Sequence, residues 1–373
     1  MSFLKMSKIA LYLAGGGARG AYQAGVLKAV YSILKTHQIP FEIITGVSVG
    51  SVNASIIAQH ADNFQFAVEQ LEELWCGIHC NQIFNVDNFN ITKSILRNFG
   101  VMFLERRQSG YLLDTSPLTD FLKKQIHFRK IAHNIETQKL KMFEIICMCY
   151  DTQQNYSFCQ QNDPDFSHWQ HYKHISSATN IKLEHILASG ALPLFFSPVT
   201  IDDRFYGDGS MGLISPLRGA VHTKADKVLV ISNRHPMNAQ NKAPLKEIGF
   251  GQILGTMLSS LFQDNLDRDI EIVNHLNDIS DMISMWNKRY SPWQDVKTMH
   301  LRPNTDLAKI AIQAKHELPM ALKTVLSIFG GGAQSGELTS FLLFESSFTT
   351  EIFNLGYDDT LEMSESILEF FEN

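Results

Sequence analysis

Phe41-Glu42-Ile43-Ile44-Thr45-Gly46-Val47-Ser48-Val49-Gly50 runs an apolar stretch straight into a serine with glycines two residues to either side. Phe41 to Thr45 reads as a short buried strand, and the small and apolar residues from Val52 to Ala58 read as a helix buried against a sheet. A serine between two such elements sits in a tight, strained turn that exposes its Oγ. Gly46 and Gly50 are needed there because a side chain at either position would run into neighbouring backbone. The helix that follows aims its positive end at charge developing near Ser48. The five-residue pattern is common by itself, and its strand–turn–helix setting is what points to a nucleophile.

Outward from this segment, strands and helices alternate. Ile9 to Ala14 is a second short apolar run, stopped by Gly15-Gly16-Gly17-Ala18-Arg19-Gly20. Ala21 to Leu34 has helical spacing, with Val26, Leu27, Val30, Ile33 and Leu34 on one side. Toward the C-terminus, Phe66 to Trp75 and Leu118 to Ile126 are expected helices; Phe143 to Tyr150, Val228 to Ile231 and Met299 to Leu301 are expected strands. Asp163 to Tyr172 and Asn233 to Ala243 read as loops, Gln252 to Ile279 as a long helix, and Gly330 to Gly332 as a flexible connection. The alternation argues for an α/β architecture with a largely parallel sheet.

Two readings compete for the first glycine loop. Gly15, Gly17 and Gly20 satisfy the dinucleotide-binding pattern, between a strand and a helix. That pattern expects an acidic residue at the end of the second strand to hold a ribose. Here that strand ends in Thr45 and the serine turn, with Glu42 near its beginning. The second reading is an oxyanion loop. Acyl transfer passes through a tetrahedral intermediate that needs fixed donors, and glycine backbone presents adjacent N–H groups with no side chain in the way. A nucleophile nearby in the sheet order favours the oxyanion reading. Arg19 would add positive potential or pin the loop to a carboxylate.

A serine also needs a base. Asp208-Gly209-Ser210 follows the turn-like Asp202-Asp203-Arg204, and Gly209 lets the chain turn so that Asp208 can approach. An exposed aspartate, with a pKa near ~3.9, is a poor base, whereas partial burial makes it a stronger one. Alone, Asp-Gly is a turn signal. With 14 histidines in the chain, a Ser-His-Asp triad stays open through His222, His235, His275, His300 or His316, although none has a catalytic context.

Bulk properties narrow the alternatives. The chain has 373 residues, 45% hydrophobic and 19% charged, and a net charge of −6 without a basic stripe, so nucleic acid is not an expected partner. Five cysteines without paired metal-ligand spacing read as buried free thiols, as suits a reducing compartment. No carboxylate-rich calcium loop is evident, so neither metal nor cofactor is expected. The apolar run at the N-terminus is too short for a signal peptide, and no later window reaches the ~18 apolar residues of a membrane span. The expected location is cytoplasmic or peripheral to a membrane. Among the 25 phenylalanines, Phe99 and Phe103 in the run to Leu104 suggest an apolar lid or acyl channel.

Gly15-Gly16-Gly17-Ala18-Arg19-Gly20, Gly46-Val47-Ser48-Val49-Gly50 and Asp208-Gly209-Ser210, in that order, resemble the patatin-like phospholipase family. Ala188 to Val199 is similar to the family's segment before the aspartate; Leu112 to Leu118, Phe341 to Phe344 and Leu355 to Asp359 are similar to further family elements. The resemblance implies a three-layer α/β/α fold with a mostly parallel central sheet. It implies a core over residues 8–216 and a strand-plus-helices region over 217–373. It further implies lipid ester hydrolysis at a membrane surface by a Ser–Asp dyad: Ser48 as nucleophile, Asp208 as base, Gly15, Gly16 and Gly17 as the oxyanion loop, and Arg19, Gly20, Gly46, Gly50 and Gly209 in support. The family usually has glycine or alanine where this chain has Ser210, whose hydroxyl would lower the basicity of Asp208. A catalytically silent lipid-binding protein on the same fold is the alternative.

Overall fold

Strands whose residues are all buried need cover on both faces, and three of them form the middle of this molecule: β1 (Ile9–Leu13), β2 (Ile43–Val47) and, far along the chain, Lys227–Ile231. The computed structural model describes residues 7–85, 111–164, 166–236, 265–283, 293–328 and 335–372. Between β2 and the Lys227–Ile231 strand lie β3 (Met142–Cys149), β4 (Gln154–Gln161), β5 (Gln170–His171), β6 (His174–Ala178), β7 (Val199–Ile201) and β8 (Arg204–Asp208). Lys227–Ile231 is β9, and Lys297–Leu301 is β10. The sheet order is β10-β9-β1-β2-β3-β4-β6-β5, with β8 on β3 and β7 on β8. From β10 to β3 every pairing is parallel; β4 and the β7–β8 hairpin add antiparallel pairs.

Two apolar clusters, one on each face, make this a three-layer α/β/α fold. One holds Leu11, Leu13, Ile44 and Ile145 with Leu27, Ile57 and Leu71 from the helices Gly20–Leu34, Val49–Gln59 and Phe64–Cys76. The other holds Tyr12, Val47, Ile146 and Val230 with Leu217, Leu266 and Val273. Neighbouring residues of β1 fall into opposite clusters, as the alternation of side chains along a strand requires.

One register detail brings distant residues together. β2 pairs with β3 as far as Val47 opposite Ile146, and there the chain turns away at Ser48. The edge of β3 that it vacates is taken by β8, running antiparallel with Asp208 opposite Cys147. The C-terminal ends of β2 and β8 therefore meet on consecutive rungs of β3. Residues 160 positions apart in sequence arrive side by side.

The helices from Gly20 and Val49 and the strands at Ile9, Ile43, Met142, Lys227 and Lys297 lie within a few residues of their expected places. Sequence periodicity did not reveal β4, β6, β7 or β8. β4 and β6 are rich in Gln, Asn, Ser and His, so they lack an apolar run and owe their conformation to their neighbours in the sheet. β7 and β8 are joined by Asp202 and Asp203, both at positive φ as a two-residue hairpin turn requires. The expected loop from Asp163 to Tyr172 contains β5. Of the expected helix from Gln252, the described part is Leu266–Met282. The proposed apolar lid at Phe99 to Leu104 and the glycine run Gly330 to Gly332 lie outside the described residues. Among the described residues, no helix is long and apolar enough to cross a membrane.

Candidate active site

Ser48 caps the Val49–Gln59 helix with φ 53° and ψ −127°, a left-handed conformation that a side chain adopts only when the surroundings enforce it. The enforcement comes from close backbone packing. A Cβ on Gly50 would overlap the Leu13 carbonyl of β1, and one on Gly46 would lie 2.6 Å from the Cα of Ser51. The turn is thus pressed between β1 and its own helix. The Ser51 N–H and hydroxyl both donate to the Ser48 carbonyl, at 2.9 and 2.6 Å.

The Ser48 hydroxyl donates to Asp208 Oδ2 at 2.6 Å. Both residues are buried, at 8% and 1% exposure, so bulk water does not weaken the bond. Burial pushes the Asp208 carboxyl up to about 6, against the opposing effect of hydrogen bonds from Ser48 and Ser210. The Ser210 N–H donates to Asp208 Oδ1 at 2.8 Å, which leaves Oδ2 facing the serine.

The segment between β6 and β7 holds both partners. Ser189, at the end of the Leu183–Ser189 helix and fully buried, accepts the Ser48 N–H at 2.8 Å and donates to the Ile146 carbonyl at 2.7 Å. Its carbonyl accepts the Gly209 N–H, and the Ala191 carbonyl accepts the Asp208 N–H. Sequence reasoning missed Ser189. The only available signal was a serine in an otherwise apolar helix end, which reads equally well as a cap.

Gly15, Gly16 and Gly17 line the same cavity as Ser48 and Asp208, which has a volume of about 60 Å³. Among the described residues, the backbone N–H groups of these three glycines donate no hydrogen bond, whereas their loop is firmly held from outside. Asn233 Nδ2 donates to the Gly15 carbonyl at 3.0 Å and Gln23 Nε2 to the Ala14 carbonyl at 2.7 Å. Gln23 is oriented in turn by Asn53, and Asn53 by the Trp75 ring N–H. Gly17 sits at φ 56° against the Phe341 carbonyl, an approach that leaves no room for a side chain. The roles of Gln23, Asn53 and Asn233 also went unnoticed in the sequence; a lone amide on an apolar helix face, or at the start of a polar loop, gives no hint of its partner.

Arg19 is not a surface residue. It is 3% exposed, pairs with Glu337 at 2.5 Å, donates to Ser340 at 2.7 Å and lies over the Phe341 ring at 4.7 Å. The guanidinium pins the glycine loop to the Ser335–Leu342 helix, whose Phe341 and Leu342 wall the cavity with Phe344. Gly20 packs against Val49 and the Trp75 ring, and Gly209 against the Ile146 carbonyl. No described histidine lines the cavity. His222 bonds Ser167, His235 the Pro303 carbonyl, His300 Ser232 and His316 the Gln313 carbonyl; His275 is exposed.

The fold and the site together define an α/β/α protein with a strained serine turn facing a buried carboxylate. Residues 11–221, more than half the chain, match the model of the patatin-like phospholipase family, and the chain belongs to that family. A 54-residue stretch, 14% of the chain, is 46% identical to lysophospholipase nte1 of Aspergillus terreus, a protein of which it spans only 3%. The crystal structure of VipD from Legionella pneumophila aligns with 97% of this chain and 67% of its own, at 12% identity and a TM-score of 0.40.

Proposed function

We propose that the protein is a serine acyl hydrolase of lipid esters, working through an acyl-serine intermediate and a Ser–Asp dyad. The 2.6 Å hydrogen bond from Ser48 Oγ to Asp208 carries this reading. In the first half-reaction Ser48 Oγ attacks the ester carbonyl carbon while its proton passes to Asp208. The oxyanion is met by the undonated N–H groups of Gly15 to Gly17, where each donor is worth ~10²–10³ in turnover. Collapse of the intermediate breaks the bond to the alcohol, which leaves with the proton from Asp208. In the second half-reaction water attacks the acyl-serine and gives a proton to Asp208. The fatty acid then departs, and Asp208 returns the proton to Ser48. A carboxyl titrating near 6 suits both duties, because it is ionised at neutral pH yet basic enough to accept.

Family membership and the similarity to a lysophospholipase support a lipid ester as substrate. Arg234, a half-buried cation in the cavity wall, supports a phosphate-bearing lipid in particular. Labelling with a fluorophosphonate tests the reading, since it requires an activated serine. Wild type should label at Ser48, and Ser48→Ala and Asp208→Asn should not. Absence of label on wild type, with lipid binding intact, would favour the silent lipid-binding alternative.

A further inference from the structure

The cavity that holds Ser48 and Asp208 is joined at Ser48 by a second, of about 70 Å³, with different chemistry. Beyond the Ser48 hydroxyl, the only polar side-chain atom in its lining residues is the Trp75 ring nitrogen, and that N–H is taken by Asn53 at 2.8 Å. The chamber reaches between the Val49–Gln59, Phe64–Cys76, Ser116–Gln125 and Leu183–Ser189 helices. Its lining includes Leu74 and Phe121. Those two side chains also line a third cavity of about 560 Å³, whose other described lining residues include Phe66 but are mostly polar, among them Gln70, Gln125 and Lys130. Leu74 and Phe121 therefore lie between an apolar chamber beside the serine and a more polar groove. Hydrogen bonds through Gln70 tie three of these helices together: Gln59 Nε2 to Gln70 Oε1 at 3.0 Å, and Gln70 Nε2 to the Gln125 carbonyl at 3.2 Å.

We infer that this chamber receives the acyl chain of the substrate and that Leu74 and Phe121 set the chain length it accepts. The inference rests on the hydrolase reading for the identity of the ligand. An apolar chamber open at the nucleophile stabilises a hydrocarbon placed there and disfavours a head group, which would lose its hydration with no partner in return. At about 70 Å³ the chamber is small, so it holds a short straight chain better than a long one. Longer chains meet Leu74 and Phe121, with a polar groove beyond.

The experiment is a chain-length series of p-nitrophenyl esters, from acetate to dodecanoate. For wild type, kcat/KM should rise by up to about fourfold per added methylene, the equivalent of ~0.8 kcal/mol, and then break at a chain length within the series. Leu74→Ala and Phe121→Ala should each move the break to longer chains, while Val52→Phe, from another wall, should move it to shorter ones. Melting temperatures with free fatty acids of the same lengths give a second readout that needs no chemistry. Ester turnover whose break is unmoved by all three substitutions overturns the inference and leaves the hydrolase reading standing. No turnover, with a fatty-acid cutoff that Phe121→Ala lengthens, sinks the hydrolase reading and upholds the chamber. Fatty acids that fail to shift the melting temperature at any length, in a protein that also shows no chain-length break, overturn the inference as well.

Discussion

Two hydroxyl–carboxylate pairs of equal length lie on opposite faces of the same sheet. Ser48 donates to Asp208 at 2.6 Å on one face, and Thr45 donates to Glu144 at 2.6 Å on the other. Both carboxylates are buried, and burial raises the pKa of each above the ordinary range. The bond itself therefore does not make a site. What differs is everything around it. Ser48 has left-handed backbone at the start of an 11-residue helix and faces a cavity lined by Gly15, Gly16 and Gly17, whose N–H groups donate no hydrogen bond among the described residues. Thr45 is in mid-strand, and Glu144 is sealed beneath Gly219, where no Cβ would fit. A strained turn and access to a glycine-lined cavity separate a candidate dyad from a buried polar contact.

The sharpest way to break this contrast is to remove, in turn, the donor and the carboxylate on each face. Ser48→Ala and Asp208→Asn should each lower ester kcat/KM by about 10³ or more. Thr45→Val and Glu144→Gln should stay within about threefold, measured on folded protein. A loss with Glu144→Gln as deep as that with Asp208→Asn would mean that the two pairs are not distinct in function.

Acidity separates them next. If Asp208 must be ionised to accept the serine proton, kcat/KM should fall about tenfold per unit as pH drops below about 6. A flat profile down to pH 4 would exclude Asp208 as the base. The same carboxyl has a stability signature of the opposite sense. Below its ordinary value of 3.8 it is protonated whether the chain is folded or not. Between 3.8 and about 6 the unfolded chain has released the proton while the folded chain keeps it, so stability falls as pH rises and levels off above about 6. The total is about 3 kcal/mol. Asp208→Asn should consequently melt higher than wild type at pH 8, with the gap closing toward pH 4. Glu144→Gln should behave alike in melting and unlike in activity.

How far this contrast was legible in advance depended on what each residue needs. The turn at Ser48 and the loop at Gly15 are backbone devices. They demand glycine at fixed offsets and leave a record in sequence, as do the fully buried strands beside them. The partner at Asp208 was reached through the order of three motifs and their family resemblance, because its strand, β8, carries no apolar run. Ser189, Gln23, Asn53 and Asn233 left no such trace, since each works through side-chain hydrogen bonds to groups that only the fold brings beside it. Arg19 sits between the two cases. Its loop was legible, but its partner Glu337 lies 318 positions on, and only the packing of the Ser335–Leu342 helix brings them together.

The smallest effect is expected at Ser210, where this chain departs from the family's usual glycine or alanine. Two features of Ser210 act on Asp208. Its backbone N–H donates to Oδ1 at 2.8 Å, which any residue at this position could supply. Its hydroxyl, which lies over Gly15, also favours the ionised carboxyl and lowers the pKa. Ser210→Ala keeps the first and removes the second. Asp208 should become slightly more basic, so the acid limb of kcat/KM should move upward by a fraction of a pH unit and the plateau rate should change by less than about threefold. An unmoved limb would show that the hydroxyl does not act on the carboxylate. A tenfold loss would show that the hydroxyl takes part in holding or transferring the proton, and the dyad would have to be rewritten as three residues.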